Sequence, residues 1–150
     1  MLMESPQCEM PDYTPPSREI EKILENSNRI AVVGLSPKTS RDSNMVARYL
    51  LEAGYDMIPI NPGQQKILER TCYKTLEDIP FAVDIANLFI NPTRVPPAVE
   101  QCIRIGVKTI WMQLGIVHND AASKARAAGI EMVMNRCIMV EHRNYMKVKG

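Results

Sequence analysis

The chain has no CxxC pair, no apolar run of membrane-spanning length, no surplus of charge of either sign and no Walker-type GxxxxGK[ST] loop. Each absence removes a class of function. Four cysteines, Cys8, Cys72, Cys102 and Cys137, stand far apart without matching histidines, so neither a disulfide framework nor a zinc site is signalled and reduced thiols are expected. A net charge of +1 provides no long-range field to attract a nucleic acid, so any bound anion must be held by a local group of cations, which suits a small molecule. The N-terminus, MLMESPQCEMPDYTPPS, has neither a basic leader nor an apolar core, and a cytoplasmic chain without membrane contact is expected. The missing Walker loop argues against ATP hydrolysis.

What is present is one domain's worth of core: 150 residues, 45% of them hydrophobic. A second, catalytic domain does not fit. Pro11, Pro15, Pro16 and scattered charge predict a flexible arm over residues 1–14, with the folded domain over 15–150. Ser17 is placed to cap a short helix with an Ile20, Ile23, Leu24 stripe. A unit then recurs three times: helix, glycine, short link, apolar strand. The copies are Met45–Ala53/Gly54/Met57–Ile60, Val95–Ile105/Gly106/Thr109–Met112 and Ala121–Ala128/Gly129/Glu131–Met134. With Ile30–Val33 and Val83–Ile90 this makes five strands, and Thr75-Leu76-Glu77-Asp78 reads as a capping box. The alternation predicts an α/β domain with a five-stranded parallel sheet, order 3-2-1-4-5, and helices on both faces. In that order Gly34–Ser43 and Gln113–Gly115 face each other across a crevice between strands 1 and 4. Pro59, inside the second strand, points to the end of pairing or a bulge.

The stretch RIAVVGLSPKTSRDSN carries the chemistry. An apolar strand enters a loop rich in hydroxyls and cations, and a helix begins near Ser43, which can act as its N-cap. Free N–H groups and the positive helix end at such a junction favour an anion. A dinucleotide fingerprint needs three glycines, yet Ser36 and Thr39 occupy the second and third positions, and Asn61-Pro62 stands where a ribose-binding acid belongs. The available groups are instead Ser36, Lys38, Thr39, Ser40, Arg41 and Ser43, with Lys66 and Arg94 following later strands. Such a set suits a pyrophosphate together with a separate phosphate monoester.

These residues resemble the CoA-binding proteins whose single Rossmann-like domain is similar to the N-terminal domain of the succinyl-CoA synthetase α-subunit. The similarity runs from about Ile30 to His142, through the Gly-x-Ser-Pro-Lys loop with Arg and Ser-Asn, MIPINP, TIWMQLGI and Asn-Arg-Cys-Ile. It implies coenzyme A, or an acyl-CoA, as the ligand of a binding module that completes no reaction by itself. It further implies that Gly34, Ser36, Pro37, Lys38, Arg41 and Ser43 wrap the phosphates, and that Asn61 and Pro62 flank the adenosine. Phe89 and Asn91 border it from strand 3, while Met112, Gln113 and Gly115 line the strand 4 side toward the pantetheine. Asn135, Arg136 and Cys137 match the terminal motif. The chain departs from the family pattern at Ser40, where glycine is usual, at Gly63-Gln64-Gln65, where a lysine often follows Asn-Pro, and at Ile90, where an arginine is frequent.

Other readings stay open beside this one. The fold permits an NAD(P)-dependent oxidoreductase, against which the loop argues. Cys137 could form a mixed disulfide with the CoA thiol, although an unpaired cysteine is more often a small buried hydrophobe. His118 and His142 lack a carboxylate fixed beside them by sequence, which disfavours phosphoryl transfer. The domain could also supply its pocket to a protein partner or act as a homo-oligomer. Trp111 and Met112 alternate on strand 4, so Trp111 is expected to pack against a helix.

Overall fold

A row of short strands buried on both faces organises the chain, whose computed structural model describes residues 9–150. β1 (Arg29–Val33), β2 (Asp56–Ile60), β5 (Ile85–Leu88), β6 (Thr109–Met112) and β7 (Glu131–Val133) all run parallel. Between β2 and β5 a small antiparallel hairpin, β3 (Lys66–Ile67) and β4 (Arg70–Thr71), stands apart from the main sheet. Side chains alternate strictly between the two layers. Ile30, Val32, Met57, Ile85, Trp111 and Val133 face α1 (Ser17–Asn26), α2 (Asp42–Glu52) and α5 (Ile138–Lys149). Ala31, Ile58, Ala86, Leu88, Ile110 and Met112 face α3 (Val95–Ile105) and α4 (Asn119–Ala127). The α/β class, the parallel sheet and helices on both faces are as expected from the sequence.

The strand order is not. The sheet reads β2-β1-β5-β6-β7, which in terms of its five strands along the chain is 2-1-3-4-5 and not 3-2-1-4-5. Two local causes explain it. The outer edge of β2 is already occupied, because Tyr73 N–H donates to the Pro59 carbonyl (3.0 Å) and Asn61 N–H donates to the Tyr73 carbonyl (2.9 Å). Pro59 itself has no N–H to offer there, which is why an edge strand tolerates it. Meanwhile Asp84, just before β5, accepts from the backbone N–H groups of Asn28 (2.8 Å) and Arg29 (2.9 Å), tying the start of β5 to the start of β1. The third strand is thereby drawn inward to pair with β1, Val33 opposite Leu88.

Two helix starts also differ from expectation. α1 and α2 follow Pro16 and Arg41, and neither has a side-chain cap; Ser17 and Ser43 lie inside the first turns. The three helix–glycine–strand junctions and the Thr75–Asp78 capping box form as the sequence indicates. Residues 1–8 of the expected arm lie outside the described residues. Residues 9–14 lie against the start of α4, where Asn119 N–H donates to Glu9 Oε2 (2.6 Å), Asn119 Nδ2 to the Met10 carbonyl (2.8 Å), and Arg126 stacks 3.5 Å over Tyr13. Among the described residues, no helix is long and apolar enough to cross a membrane.

Burial pushes the Asp84 carboxyl up, but the two backbone donors and Lys108 more than offset this and hold it below its ordinary value of 3.8. A depressed folded value stabilises above the unfolded one and is lost as pH falls through it. Asp84→Asn is therefore expected to lose about 1–3 kcal/mol at neutral pH. Urea unfolding at several pH values checks this: the gap to the wild type should narrow below pH 3.8.

Candidate functional site

The carboxyl ends of β1, β2 and β5 converge at Gly34. Its φ is +84°, its N–H donates to the Ile60 carbonyl (3.0 Å), and a Cβ there would lie 2.3 Å from the Phe89 carbonyl oxygen. Only glycine satisfies both the left-handed backbone and the contact. Leu35 then turns inward and is fully buried, fixing the direction in which the loop leaves the sheet.

Side chains bolt this loop in place. Ser43 Oγ accepts from Ser36 N–H (3.0 Å), Asn44 Nδ2 donates to the Ser36 carbonyl (2.9 Å), and Asn61 Nδ2 donates to the Leu35 carbonyl (2.9 Å). Arg48 spans to the Thr39 carbonyl (3.0 Å) and to Asn44 Oδ1 (3.0 Å). Ser43 thus pins the loop and does not cap the helix, leaving the N-terminus of α2 without a side-chain cap. Pro37, Lys38 and Arg41 are exposed on the loop, and neither cation forms an ion pair among the described residues. Among the described residues the non-glycine positions with positive φ are Leu68, Glu69 and Asn135, so Ser40 occupies a conformation that does not demand glycine.

Two cavities flank the end of β5. The larger, about 680 Å³, is lined by Gly34, Asn61, Pro62, Phe89 and Asn91, together with Lys74, Thr75, Arg94 and Gln101. Two cations and no carboxylate line it, an arrangement suited to an anion. Asn61 and Asn91 are partly engaged already: Asn61 Oδ1 accepts from Gly63 N–H (2.8 Å), and Asn91 Oδ1 from Thr93 N–H (3.0 Å). The smaller cavity, about 340 Å³, lies between the first turns of α2 and α5 and is lined by Asp42, Met45, Phe89, Gln113 and Cys137 among others. Phe89 and Ile90 border both.

Three expectations are corrected by this arrangement. Gly34–Ser43 and Gln113–Gly115 are not adjacent across a strand 1/strand 4 crevice, because β5 lies between them. Met112 does not line the site; β6 alternation sends it, fully buried, into the α3–α4 layer. Ser36, Pro37, Lys38, Arg41, Ser43 and Gly115 line neither cavity; the Gly115 N–H is bound to Asn135 Oδ1 (2.8 Å), and Lys66, whose reach the sequence leaves open, belongs to the β3–β4 hairpin. Trp111 packs in the α1–α2–α5 layer as expected and also donates from Nε1 to the Arg136 carbonyl (2.8 Å), holding the segment that carries Cys137. His118 caps α4 through Nδ1, and the buried His142 Nδ1 meets the Tyr49 hydroxyl (2.8 Å), away from both cavities.

Sequence reasoning missed Lys74, Arg48 and Asn87. Lys74 reaches the site only because its segment runs along the β2 edge, for which no local signal exists. Asn87 was legible in principle, as a lone amide in the buried strand IANL. Its Nδ2 donates to the Trp111 carbonyl (3.4 Å) and to Gln113 Oε1 (3.2 Å), leaving its Oδ1 without a partner.

A parallel α/β domain with an uncapped helix start and a cation-lined cavity at the turning point of its sheet has the form that suits an anionic ligand. The match to the CoA binding domain model covers residues 28–143, and the chain belongs to that family. It is 35% identical over 128 residues to protein YneT of Bacillus subtilis strain 168, covering 85% of this chain and 95% of that one. A solved structure of a protein from Pyrococcus horikoshii OT3 superposes with a TM-score of 0.87 at 40% identity, covering 96% of this chain and 99% of that one. The ADP-forming acetate–CoA ligase II of Archaeoglobus fulgidus is 31% identical over 99 residues, 65% of this chain but 14% of the ligase.

Gly34→Ala is expected to cost roughly 2–4 kcal/mol, from the left-handed backbone plus a collision with backbone that cannot swing away. Gly115 also has positive φ (+86°), but a Cβ there meets nothing within 4 Å. Gly115→Ala should therefore cost only about 1–2 kcal/mol; guanidinium unfolding of the two variants compares them directly. Thiol accessibility gives a second check. Burial pushes the Cys102 thiol up to about 12 and also raises Cys72, whereas Cys137 is partly exposed. Peptide mapping after brief labelling at neutral pH should find Cys137 modified ahead of Cys72, and Cys102 only after unfolding.

Proposed function

We propose that the protein binds coenzyme A or a CoA thioester at the two-lobed site, acting as a binding module. The observation that carries this reading is the larger cavity, whose lining has Lys74 and Arg94 and no carboxylate, within a chain of the CoA-binding family. The loop bearing Lys38 and Arg41 joins Gly34, a wall of the larger cavity, to Asp42, a wall of the smaller. A phosphate-rich nucleotide suits the first lobe, and an uncharged arm ending in sulfur suits the second. Asn61 and Pro62 border the first lobe where the adenosine would lie, and Ser36 and Ser43 stiffen the loop from beneath. Cys137 lines the second lobe, where the ligand's sulfur end belongs in this assignment. The ligase activity of the longer relatives belongs to whole enzymes of which this chain matches a small part.

Isothermal titration with CoA at low salt should give saturable binding. Lys38→Ala combined with Arg41→Ala should weaken it at least tenfold, since each charge-assisted phosphate contact is worth about 1.5–3 kcal/mol. NADPH should compete poorly. Absence of saturable heat from a protein that circular dichroism shows to be folded would falsify the assignment, as would tighter binding of NADPH than of CoA.

A further inference from the structure

The smaller cavity has features that a bare thiol leaves unused. Gln113 at its floor is only 5% exposed. Its Oε1 accepts from Asn87 Nδ2 (3.2 Å) and from the backbone N–H of Ile138 (3.3 Å). A backbone N–H can only donate, so it fixes which end of the Gln113 amide is oxygen. Nε2 is then left with no hydrogen-bond partner among the described residues, on a side chain that lines the cavity. This donor is open to the cavity, since the side-chain polar atom that is shut off from solvent and unpaired among the described residues is Asn87 Oδ1, and the protein supplies no acceptor for it.

Around this donor the walls are mostly apolar, Val46, Ile116 and Met139, with Met45 and Leu114 at the rim and Asp42 as the one carboxylate in the lining. Met45 and Leu114 are 43% and 66% exposed, large apolar side chains left open to solvent beside a groove. Methionines at two of these positions give walls that adapt to a chain of variable shape. The groove adjoins the larger cavity along Phe89 and Ile90.

We propose that this groove is an acyl pocket, and that the ligand is a CoA thioester with a short to medium apolar acyl chain. This rests on the CoA assignment above. The thioester carbonyl accepts from Gln113 Nε2, and the chain lies between the first turns of α2 and α5. The step is binding alone; no bond is made or broken. A volume of about 340 Å³ holds roughly ten groups of water size at about 30 Å³ each, enough for a carbonyl and a chain of about six carbons.

Titration of the full chain with CoA, acetyl-CoA and hexanoyl-CoA tests the pocket. Each buried methylene strengthens binding by roughly three- to fourfold, so even a half-open groove should make hexanoyl-CoA at least tenfold tighter than CoA. Met45→Trp, a change on an exposed part of α2, should fill the groove and bring the hexanoyl-to-CoA affinity ratio close to one. Gln113→Glu keeps the acceptor for Asn87 and Ile138 but removes the donor, and should reduce the preference for acetyl-CoA over CoA. Equal affinity for CoA and hexanoyl-CoA overturns the acyl pocket while leaving CoA binding intact. No binding of either by folded protein overturns both. An undiminished hexanoyl preference in Met45→Trp also overturns the pocket, because the chain would then lie elsewhere.

Discussion

The site depends on the approach of a bare backbone carbon to a backbone carbonyl. Gly34 sits where a Cβ would be 2.3 Å from the Phe89 oxygen, while its N–H reaches the Ile60 carbonyl on the other side. One residue therefore joins the ends of β2, β1 and β5. Because neither contact can be made by a side chain, neither can be recovered by a rotamer change; separating these strand ends requires moving the sheet itself. Everything beyond this point inherits its position from it: the inward turn of Leu35, the exit of the loop and the uncapped start of α2.

The loop illustrates a second way to hold backbone ready for an anion. Glycine-rich dinucleotide loops let phosphate approach because side chains are missing. Here the loop keeps its side chains and is held from outside by four others, Ser43, Asn44 and Arg48 of α2 and Asn61 after β2, which tie down carbonyls and one N–H of residues 35–39. Ordering is thus completed during folding, and any ligand of this loop would meet backbone that loses little further freedom, which favours affinity. The negative φ of Ser40 fits this picture, since a loop held by side-chain bonds does not need a glycine hinge at that point.

The class of fold and the strand–loop–helix junction at Gly34 were readable because they rest on local patterns. Buried strands show as apolar runs, and helix ends show as glycines at Gly54, Gly106 and Gly129. Strand order was not readable in the same way. It was decided by Tyr73 occupying the β2 edge and by Asp84 accepting from Asn28 and Arg29, contacts between residues 12 to 56 positions apart. Lys74 was invisible for the same reason. Met112 was misassigned because alternation along a strand gives two faces, and choosing between them requires knowing which helices cover each.

The strand order also explains why the site has two lobes. If the third strand lay outside β2, the ends of strands 1 and 4 would bound a single crevice. With β5 between β1 and β6, its end projects Phe89 and Ile90 into the middle of the site, and space remains on both sides. The two spaces fall over opposite faces of the sheet: one against the start of α3, with Lys74 and Arg94, the other between α2 and α5, over Asn87 and Gln113. Since the helices on each face bring different chemistry, one lobe is cationic and the other mostly apolar, with Asp42 and the Gln113 amide as its polar groups. A ligand that is charged throughout leaves the second lobe unfilled, and one that is apolar throughout leaves the cations of the first unpaired. A molecule with an anionic half and an apolar half would use both, and the inward placement of β5 is what sets the two spaces apart.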